Sequence, residues 1–159
     1  MNEIIIRNSV RCLLCGEEIV SEDRHDFRYC SCGSVAVDGG NAYTRRVYKT
    51  DGSWVDTSII AQREPEDLGD INFGEMQEFA DRYHNHGWRP GKLELANAPV
   101  LSQWSWRDDG RRRIIVGIVT GHDDADDGTW LATTTVIAID DDESWCRSTR
   151  SFYRLGEPA

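Results

Sequence analysis

The chain has 159 residues, with 28 acidic and 18 basic side chains and a formal net charge of −10. This length allows one domain or two small ones, and six tryptophans argue against a disordered chain although 29% of the residues are charged. Affinity for nucleic acid comes largely from Lys and Arg side chains that neutralise phosphates, so the acidic charge disfavours direct nucleic-acid binding.

The hydrophobic segments of the chain are short. None approaches the roughly 20 apolar residues that span a bilayer, and the run Ile4-Ile5-Ile6 is too short for the hydrophobic region of a signal peptide. The sequence therefore predicts a soluble cytoplasmic protein without membrane contact, located in the host cytoplasm if the protein is viral. The cysteines agree with this reducing compartment. Their number, five, is odd, and four of them form a close-set pattern that suits a metal better than disulfides.

Residues 1–49 alternate short β-prone stretches with turns, which predicts a small domain of β-hairpins. Two cysteine pairs lie in it, each followed by a glycine: Cys12-x-x-Cys15-Gly16 and Cys30-x-Cys32-Gly33. Structural zinc takes four ligands in a tetrahedron and prefers thiolates, and a glycine after each pair can adopt the positive φ that such a tight turn needs. We therefore predict one structural Zn²⁺ bound by Cys12, Cys15, Cys30 and Cys32.

Two alternatives to this ligand set remain. The second pair has the tighter Cys-x-Cys spacing, so His25, which lies between the pairs, could replace the thiolate of Cys30 or Cys32. Otherwise His25 could hydrogen-bond to a ligand from outside the coordination sphere. The four cysteines could also be small reduced core residues without a metal. Four thiolates close the zinc shell, which favours a structural metal over a catalytic one.

The residues around the cysteines form a long, unusual string, comprising Cys-x-x-Cys-Gly-Glu, His25-Asp26-Phe27, Cys30-Ser31-Cys32-Gly33-Ser34-Val35-Ala36-Val37-Asp38-Gly39-Gly40 and Tyr43-x-Arg45-Arg46. With this string, residues 11–46 resemble a small zinc-ribbon-like family of uncharacterised phage and prophage proteins. The resemblance implies metal binding and a viral or prophage origin. It brings no established activity.

Residues 50–70 contain half of the net negative charge and predict an acidic connector, although Trp54 and Ile59 indicate that part of it packs against a neighbour. Residues 71–159 predict an α+β domain. Its helix is indicated by apolar residues at helical spacing and ends at Gly87; the spaced residues are Met76, Phe79, Ala80 and Tyr83. Two β-branched runs, at residues 113–120 and 130–139, and a final stretch at residues 145–155 follow and predict a small antiparallel sheet of three or four strands.

The predicted fold class is thus α+β, with an N-terminal zinc ribbon of short β-hairpins followed by a small antiparallel sheet with one main helix. The C-terminal third also resembles a second uncharacterised domain of bacteria and their viruses. The matching residues are Gly121-His122, Asp127-Gly128, Thr133-Thr134-Thr135, Trp145 and Tyr153-Arg154-Leu155-Gly156-Glu157-Pro158. This resemblance implies no particular chemistry.

One cluster combines basic and aromatic side chains and could form a ligand or partner surface together with His122; its members are Trp104, Trp106, Arg111, Arg112 and Arg113. A nucleotide or another small anionic ligand could stack on the indoles beneath the guanidinium groups. The alternative is that the two tryptophans pack on one face of the sheet and the arginines remain in solvent. His122 is followed by Asp123 and Asp124, which could bind a divalent cation or form a solvated acidic loop.

Three hypotheses about function follow. The first is a non-enzymatic phage or prophage accessory protein that binds, and so inhibits or redirects, a host protein such as a defence or nucleic-acid-handling factor. The second is a module that binds or sequesters a small molecule such as a signalling nucleotide. The third is a metal-dependent hydrolase that uses His84, His86, His122 and nearby Asp residues. We favour the first because of the resemblance to phage and prophage proteins, the closed metal shell and an acidic surface that suits basic host surfaces.

Overall fold

The computed structural model describes residues 2–65, 73–109 and 112–159. It divides into two compact units, an N-terminal unit of residues 3–61 and a C-terminal unit of residues 62–159 to which residues 1–2 are added. The described residues are mostly β-strand, with two helices, which confirms the mixed α+β class. None of the described helices is long and apolar enough to cross a membrane.

The N-terminal unit is built from short strands, as the alternation of β-prone stretches and turns predicts. These strands are β1 (Asn2–Cys12), β2 (Glu18–Ser21), β3 (Arg28–Tyr29), β4 (Val35–Asp38), β5 (Arg45–Tyr48) and β6 (Trp54–Asp56), and β7 (Ile59–Arg63) begins in this unit. β1 pairs antiparallel with β2 and with β6. A separate three-stranded sheet has the order β3-β4-β5 and is antiparallel throughout.

The core of the N-terminal unit is small and includes two of the cysteines. Its buried side chains are Val10, Cys12, Ile19, Cys30, Val35 and Val37, with Trp54 packed against them. The turn after β4 approaches its neighbours very closely. Gly39 has φ +109°, and a Cβ built on it would lie 2.0 Å from the carbonyl oxygen of Tyr43, so glycine is required at this position.

Residues 50–70, predicted as a connector, contribute two strands, β6 and β7, within their described part. Residues 66–70 of this segment lie outside the described residues. The apolar residues around Trp54 and Ile59 explain the strands, because each offers side chains that the unit's core can cover. Trp54, for example, contacts the ring of Tyr48 with a centroid distance of 5.3 Å.

The C-terminal unit contains a mixed sheet that is larger than predicted. Its elements are α1 (Phe73–His86), α2 (Lys92–Asn97), β8 (Val100–Asp109), β9 (Arg112–Thr120), β10 (Trp130–Ala132), β11 (Val136–Ile139), β12 (Trp145–Ser148) and β13 (Phe152–Leu155). The strand order is β11-β12-β13-β8-β9-β10, and the end of β7 follows β10. Two neighbouring pairs, β13 with β8 and β10 with β7, are parallel. The prediction of a small antiparallel sheet is therefore wrong in size and in strand direction.

The sheet is larger than predicted because two of the three predicted segments each form two strands, and because β8 and the end of β7, which take part in the two parallel pairs, were not predicted. The run at residues 130–139 breaks at its threonines. The Thr133 hydroxyl oxygen accepts a hydrogen bond from the Ile115 amide (3.0 Å). The same hydroxyl donates a hydrogen bond to the Thr134 carbonyl oxygen (2.8 Å). These side-chain hydrogen bonds compete with the regular ladder, so β10 and β11 pair with different neighbours, β9 and β12.

Helix α1 confirms the predicted main helix and packs on the sheet through one apolar face. Tyr83 is buried with Ala138 and Trp145, and Phe79 packs against this cluster. The Tyr83 hydroxyl also donates a hydrogen bond of 2.7 Å to the Ile139 carbonyl oxygen. Gly87 follows the helix with φ +66°, as predicted. The six-residue helix α2 was not predicted.

Candidate metal centre

Both cysteine pairs lie on tight turns that a glycine closes. The Gly16 amide donates a 2.9 Å hydrogen bond to the carbonyl oxygen of Cys12, and the Gly33 amide does the same to Cys30, also at 2.9 Å. The two glycines have φ values of +76° and +73°. The conformational role predicted for them from the sequence is confirmed, and the Cys-x-Cys spacing is accommodated by a turn that is one residue shorter.

The four sulfur atoms of Cys12, Cys15, Cys30 and Cys32 all lie within 4.8 Å of one another. The Sγ atom of Cys32 is 3.7 Å from that of Cys12 and 3.6 Å from that of Cys30. Zinc–sulfur bonds of about 2.3 Å in a regular tetrahedron place the sulfurs about 3.8 Å apart. The sulfurs therefore fit the coordination shell of one tetrahedral ion, and the cluster could hold a metal.

The cluster lies partly inside the N-terminal unit, with Cys12 and Cys30 buried and Cys15 and Cys32 exposed. The hydroxyl of Ser34, 2.9 Å from the Cys32 sulfur, and the Ser34 amide lower the pKa of Cys32 to about 6. A backbone hydrogen bond from Cys15 lowers the pKa of Cys12, but burial and the neighbouring thiols outweigh it and raise that pKa to about 11. The hydrogen bonds from Ser34 thus stabilise the thiolate of Cys32.

His25, the alternative ligand, is exposed and does not belong to this group of close ligand atoms. A polar side chain that does contact the cluster is that of Ser34, whose hydroxyl lies 2.9 Å from the Cys32 sulfur. A serine two residues after a ligand gives no distinctive sequence signal, which is why the sequence analysis missed it.

The histidines of the hydrolase hypothesis are engaged at other positions. His86 Nε2 lies 3.2 Å from a carboxylate oxygen of Asp81, and the His84 ring contacts the Tyr83 ring. Within residues 2–65, 73–109 and 112–159, the cysteines are the one group of three or more His, Cys, Asp and Glu side chains close enough to share an ion. No described metal cluster therefore supports that hypothesis.

The structure brings together part of the predicted aromatic and basic surface. Trp104 is buried, and its indole N–H donates a 2.9 Å hydrogen bond to the Gly156 carbonyl oxygen, so its ring is not available to a ligand. It belongs to the core because its large apolar ring packs there while its N–H finds a partner. The guanidinium carbon of Arg113 lies 4.2 Å from the Trp106 ring centroid. Arg112 is exposed, and Arg111 lies outside the described residues.

His122, the last member of that surface, hydrogen-bonds to a buried carboxylate instead. Its Nε2 lies 2.7 Å from Glu64 Oε1, and its Nδ1 accepts a 3.0 Å hydrogen bond from the Asp124 amide. Nε2 therefore carries the ring proton and donates a hydrogen bond to Glu64 Oε1. Both ring nitrogens are occupied, so neither is available to a ligand in this arrangement.

Glu64 itself was missed by the sequence analysis. It is buried, accepts a hydrogen bond from the Tyr153 hydroxyl and lies 3.6 Å from Arg150 Nε. Burial raises the pKa of the Glu64 carboxyl, and the His122 hydrogen bond and the Arg150 charge lower it only in part. Glu64 is distant along the chain from His122, Arg150 and Tyr153, so no local sequence motif predicts these contacts.

By its fold and its site, the N-terminal unit is a small all-β module with a four-cysteine cluster that could hold a metal. Residues 4–48 match the family model of a domain of unknown function (DUF7695), and residues 84–159 match that of a family of unknown function (DUF6634). Both matches agree with the resemblance to uncharacterised families at the two ends of the chain. No curated protein and no solved structure matches the chain.

Proposed function

We propose that the cysteine cluster binds one structural zinc ion and that the N-terminal unit is a zinc ribbon. The support is the donor set, because four thiolates suit zinc and leave no open position for a substrate. The unit's core is small and contains two of the four ligands. Metal binding worth about 10–16 kcal/mol then supplies most of its folding free energy.

We further propose that this zinc ribbon binds a protein partner, and one observation carries the proposal. Of the nine large hydrophobic side chains that are exposed in the described part of the chain, eight belong to the N-terminal unit and one, Leu93, to the C-terminal unit. The eight are Leu13, Leu14, Phe27, Tyr29, Tyr43, Tyr48, Val55 and Ile60. Among them Leu13 and Leu14 are adjacent and the rings of Phe27 and Tyr29 contact each other, and contiguous exposed apolar surface is typical of protein–protein interaction sites.

Leu13 and Leu14 are the strongest part of this evidence. They occupy the turn between Cys12 and Cys15, with 54% and 68% of their surfaces exposed. The Leu13 amide is fixed by a 2.9 Å hydrogen bond to the Ser53 carbonyl oxygen. The metal turn thus presents two leucines to solvent on an ordered backbone, which lowers the entropic cost of binding a partner.

The partner that we propose is a host protein, and the chain is then a non-enzymatic accessory protein of phage or prophage type that acts in the host cytoplasm. The resemblance of residues 11–46 to phage and prophage proteins supports this origin. The net charge of −10 supports a basic partner, such as a defence or nucleic-acid-handling factor, because complementary charge accelerates association and suppresses wrong partners.

Affinity purification from the natural host, quantified by mass spectrometry, tests this function. The informative variant is Leu13→Ser/Leu14→Ser, which leaves the cysteines in place. Its matched control is Leu93→Ser, since Leu93 is 80% exposed but lies in the C-terminal unit. We expect a host protein that is recovered with the wild type and the control and is lost with the double variant. Recovery that does not depend on Leu13 and Leu14 would contradict the proposal.

A further inference from the structure

The four cysteines of the metal centre differ in their access to solvent. Cys12 and Cys30 are buried in the core of the N-terminal unit, whereas Cys15 and Cys32 are exposed. A dissolved oxidant reacts first with exposed sulfurs, because the sulfur must contact the oxidant in order to attack it. The centre therefore has an accessible side, formed by Cys15 and Cys32, and a protected side.

The sulfur of Cys32 combines exposure with close neighbours. Its Sγ atom is 3.7 Å from that of Cys12 and 3.6 Å from that of Cys30. The hydroxyl of Ser34 lies 2.9 Å from the same sulfur, and within the described residues Cys15 has no such hydroxyl contact. A hydroxyl at this place can also hydrogen-bond to the hydroxide that leaves a peroxide when a sulfur attacks it.

Hydrogen bonds on both sides of Cys32 hold its turn in place. The Ser31 amide and hydroxyl donate hydrogen bonds to the Glu17 carboxylate, and the Gly33 amide donates one of 2.9 Å to the Cys30 carbonyl oxygen. A sulfur on a fixed turn stays beside its neighbours. Two sulfurs 3.7 Å apart need to approach by only about 1.7 Å to reach the length of a disulfide bond.

We propose that Cys32 is the site at which hydrogen peroxide oxidises the metal centre, and that the product is a disulfide between Cys32 and Cys12. The Cys32 sulfur attacks one peroxide oxygen, the O–O bond breaks, and Cys32 becomes a sulfenic acid as hydroxide leaves. The Cys12 thiolate then attacks the Cys32 sulfur and expels a second hydroxide. The two thiolates lose two electrons in total, and the peroxide gains them.

The second thiolate is that of Cys12 because Cys12 lies on the other metal turn. A disulfide between Cys30 and Cys32 would close a ring through a single intervening residue, which strains the bond geometry. Cys12 and Cys32 are 20 residues apart along the chain, so a disulfide between them imposes no such small ring.

The disulfide removes two of the four zinc ligands. Cys15 and Cys30 remain, and two thiolates are too few for a structural zinc shell. Oxidation therefore releases the zinc, and the N-terminal unit loses the ion that supplies most of its folding free energy. Thiols of a reducing compartment can reverse the step by thiol–disulfide exchange. This inference rests on the proposed function and adds a means by which partner binding is switched off.

Treatment of the reduced, zinc-loaded full-length protein with hydrogen peroxide tests the inference without any substitution. In one sample, dimedone traps sulfenic acids while less than one equivalent of peroxide is added, and peptide mass spectrometry locates the adduct. In a second sample without dimedone, the disulfides are mapped and the released zinc is measured with a chromogenic chelator. We expect at least about fivefold more adduct on Cys32 than on Cys15. We also expect a disulfide between Cys12 and Cys32 and the release of one zinc per disulfide.

The fifth cysteine is an internal reference. Cys146 is buried in the core of the C-terminal unit with no exposed surface, so we expect it to stay reduced. Oxidation of Cys146 to the same extent as Cys32 would show a general loss of structure and overturn the inference. More adduct on Cys15 than on Cys32, a disulfide of any other pair, or zinc that stays bound after the disulfide forms would also overturn it.

Failure of this inference can be distinguished from failure of the proposed function. If the protein keeps its zinc and a reduced Cys32 in excess peroxide, the inference is overturned and the structural zinc stands. If peroxide joins Cys12 to Cys32 and releases zinc while no host protein depends on Leu13 and Leu14, the inference is supported and the proposed partner binding is overturned.

Discussion

Replacing either glycine of the metal turns tests how tightly the backbone conformation and the ion are linked. Gly16 and Gly33 have φ values of +76° and +73°, and a Cβ added to either would have no atom within 4 Å. Alanine therefore meets no steric obstacle, and its cost is the left-handed backbone alone, about 1–2 kcal/mol. If the metal folds this unit, that cost weakens zinc binding by about 5- to 30-fold for each substitution.

The assay is competition for zinc between the reduced protein and a chromogenic chelator, carried out for Gly16→Ala, Gly33→Ala and the wild type. The matched control is Gly128→Ala. Gly128 has φ +84° and no atom within 4 Å of an added Cβ, but it belongs to the C-terminal unit. We expect Gly128→Ala to retain the zinc affinity of the wild type. The same substitution should lower the unfolding free energy of the C-terminal unit by about 1–2 kcal/mol. Wild-type zinc affinity in both Gly16→Ala and Gly33→Ala would refute the linkage.

The remaining predictions concern stability. Gly39→Ala should prevent the N-terminal unit from folding, because its Cβ would lie 2.0 Å from the Tyr43 carbonyl oxygen; amide exchange in that unit measures this, and a folded variant would contradict it. Tyr83→Phe removes the hydrogen bond to the Ile139 carbonyl and should lower the free energy of unfolding in urea by about 1 kcal/mol; an unchanged value would count against the bond. Burial raises the pKa of Glu64 in the folded protein. The contribution of the Glu64 carboxyl to stability is therefore fully present below pH 4.5, its ordinary pKa, and is lost as the pH rises through the folded-state pKa. The unfolding free energy of the wild type minus that of Glu64→Gln should therefore fall between pH 4.5 and neutrality, and a difference that rises with pH would show a lowered pKa.

The metal turns could be predicted from the sequence because the spacing and the backbone requirement are both local. Two cysteine pairs, each followed by a glycine, specify the ligands and the positive φ without knowledge of the rest of the fold. The same holds for helix α1, whose apolar residues recur at helical spacing and whose end is marked by Gly87.

The sheet of the C-terminal unit could not be predicted in detail, because strand order and direction depend on contacts between distant residues. The parallel pairing of β13 with β8 joins Arg154 to Val100, and no pattern in either strand encodes it. The buried cluster around Glu64 was missed for a similar reason. A glutamate beside a proline in an acidic stretch is typical of a solvated turn. The burial of Glu64 depends instead on His122 and Tyr153, which are far along the chain.

The zinc ion is the centre of this account, and X-ray absorption spectroscopy at the zinc edge, combined with the metal content of the purified protein, tests it most directly. We expect one zinc per chain and a first coordination shell of four sulfurs at about 2.3 Å. A fully folded protein without metal, or a shell in which nitrogen or oxygen replaces a sulfur, would contradict the assignment of Cys12, Cys15, Cys30 and Cys32 as the complete ligand set.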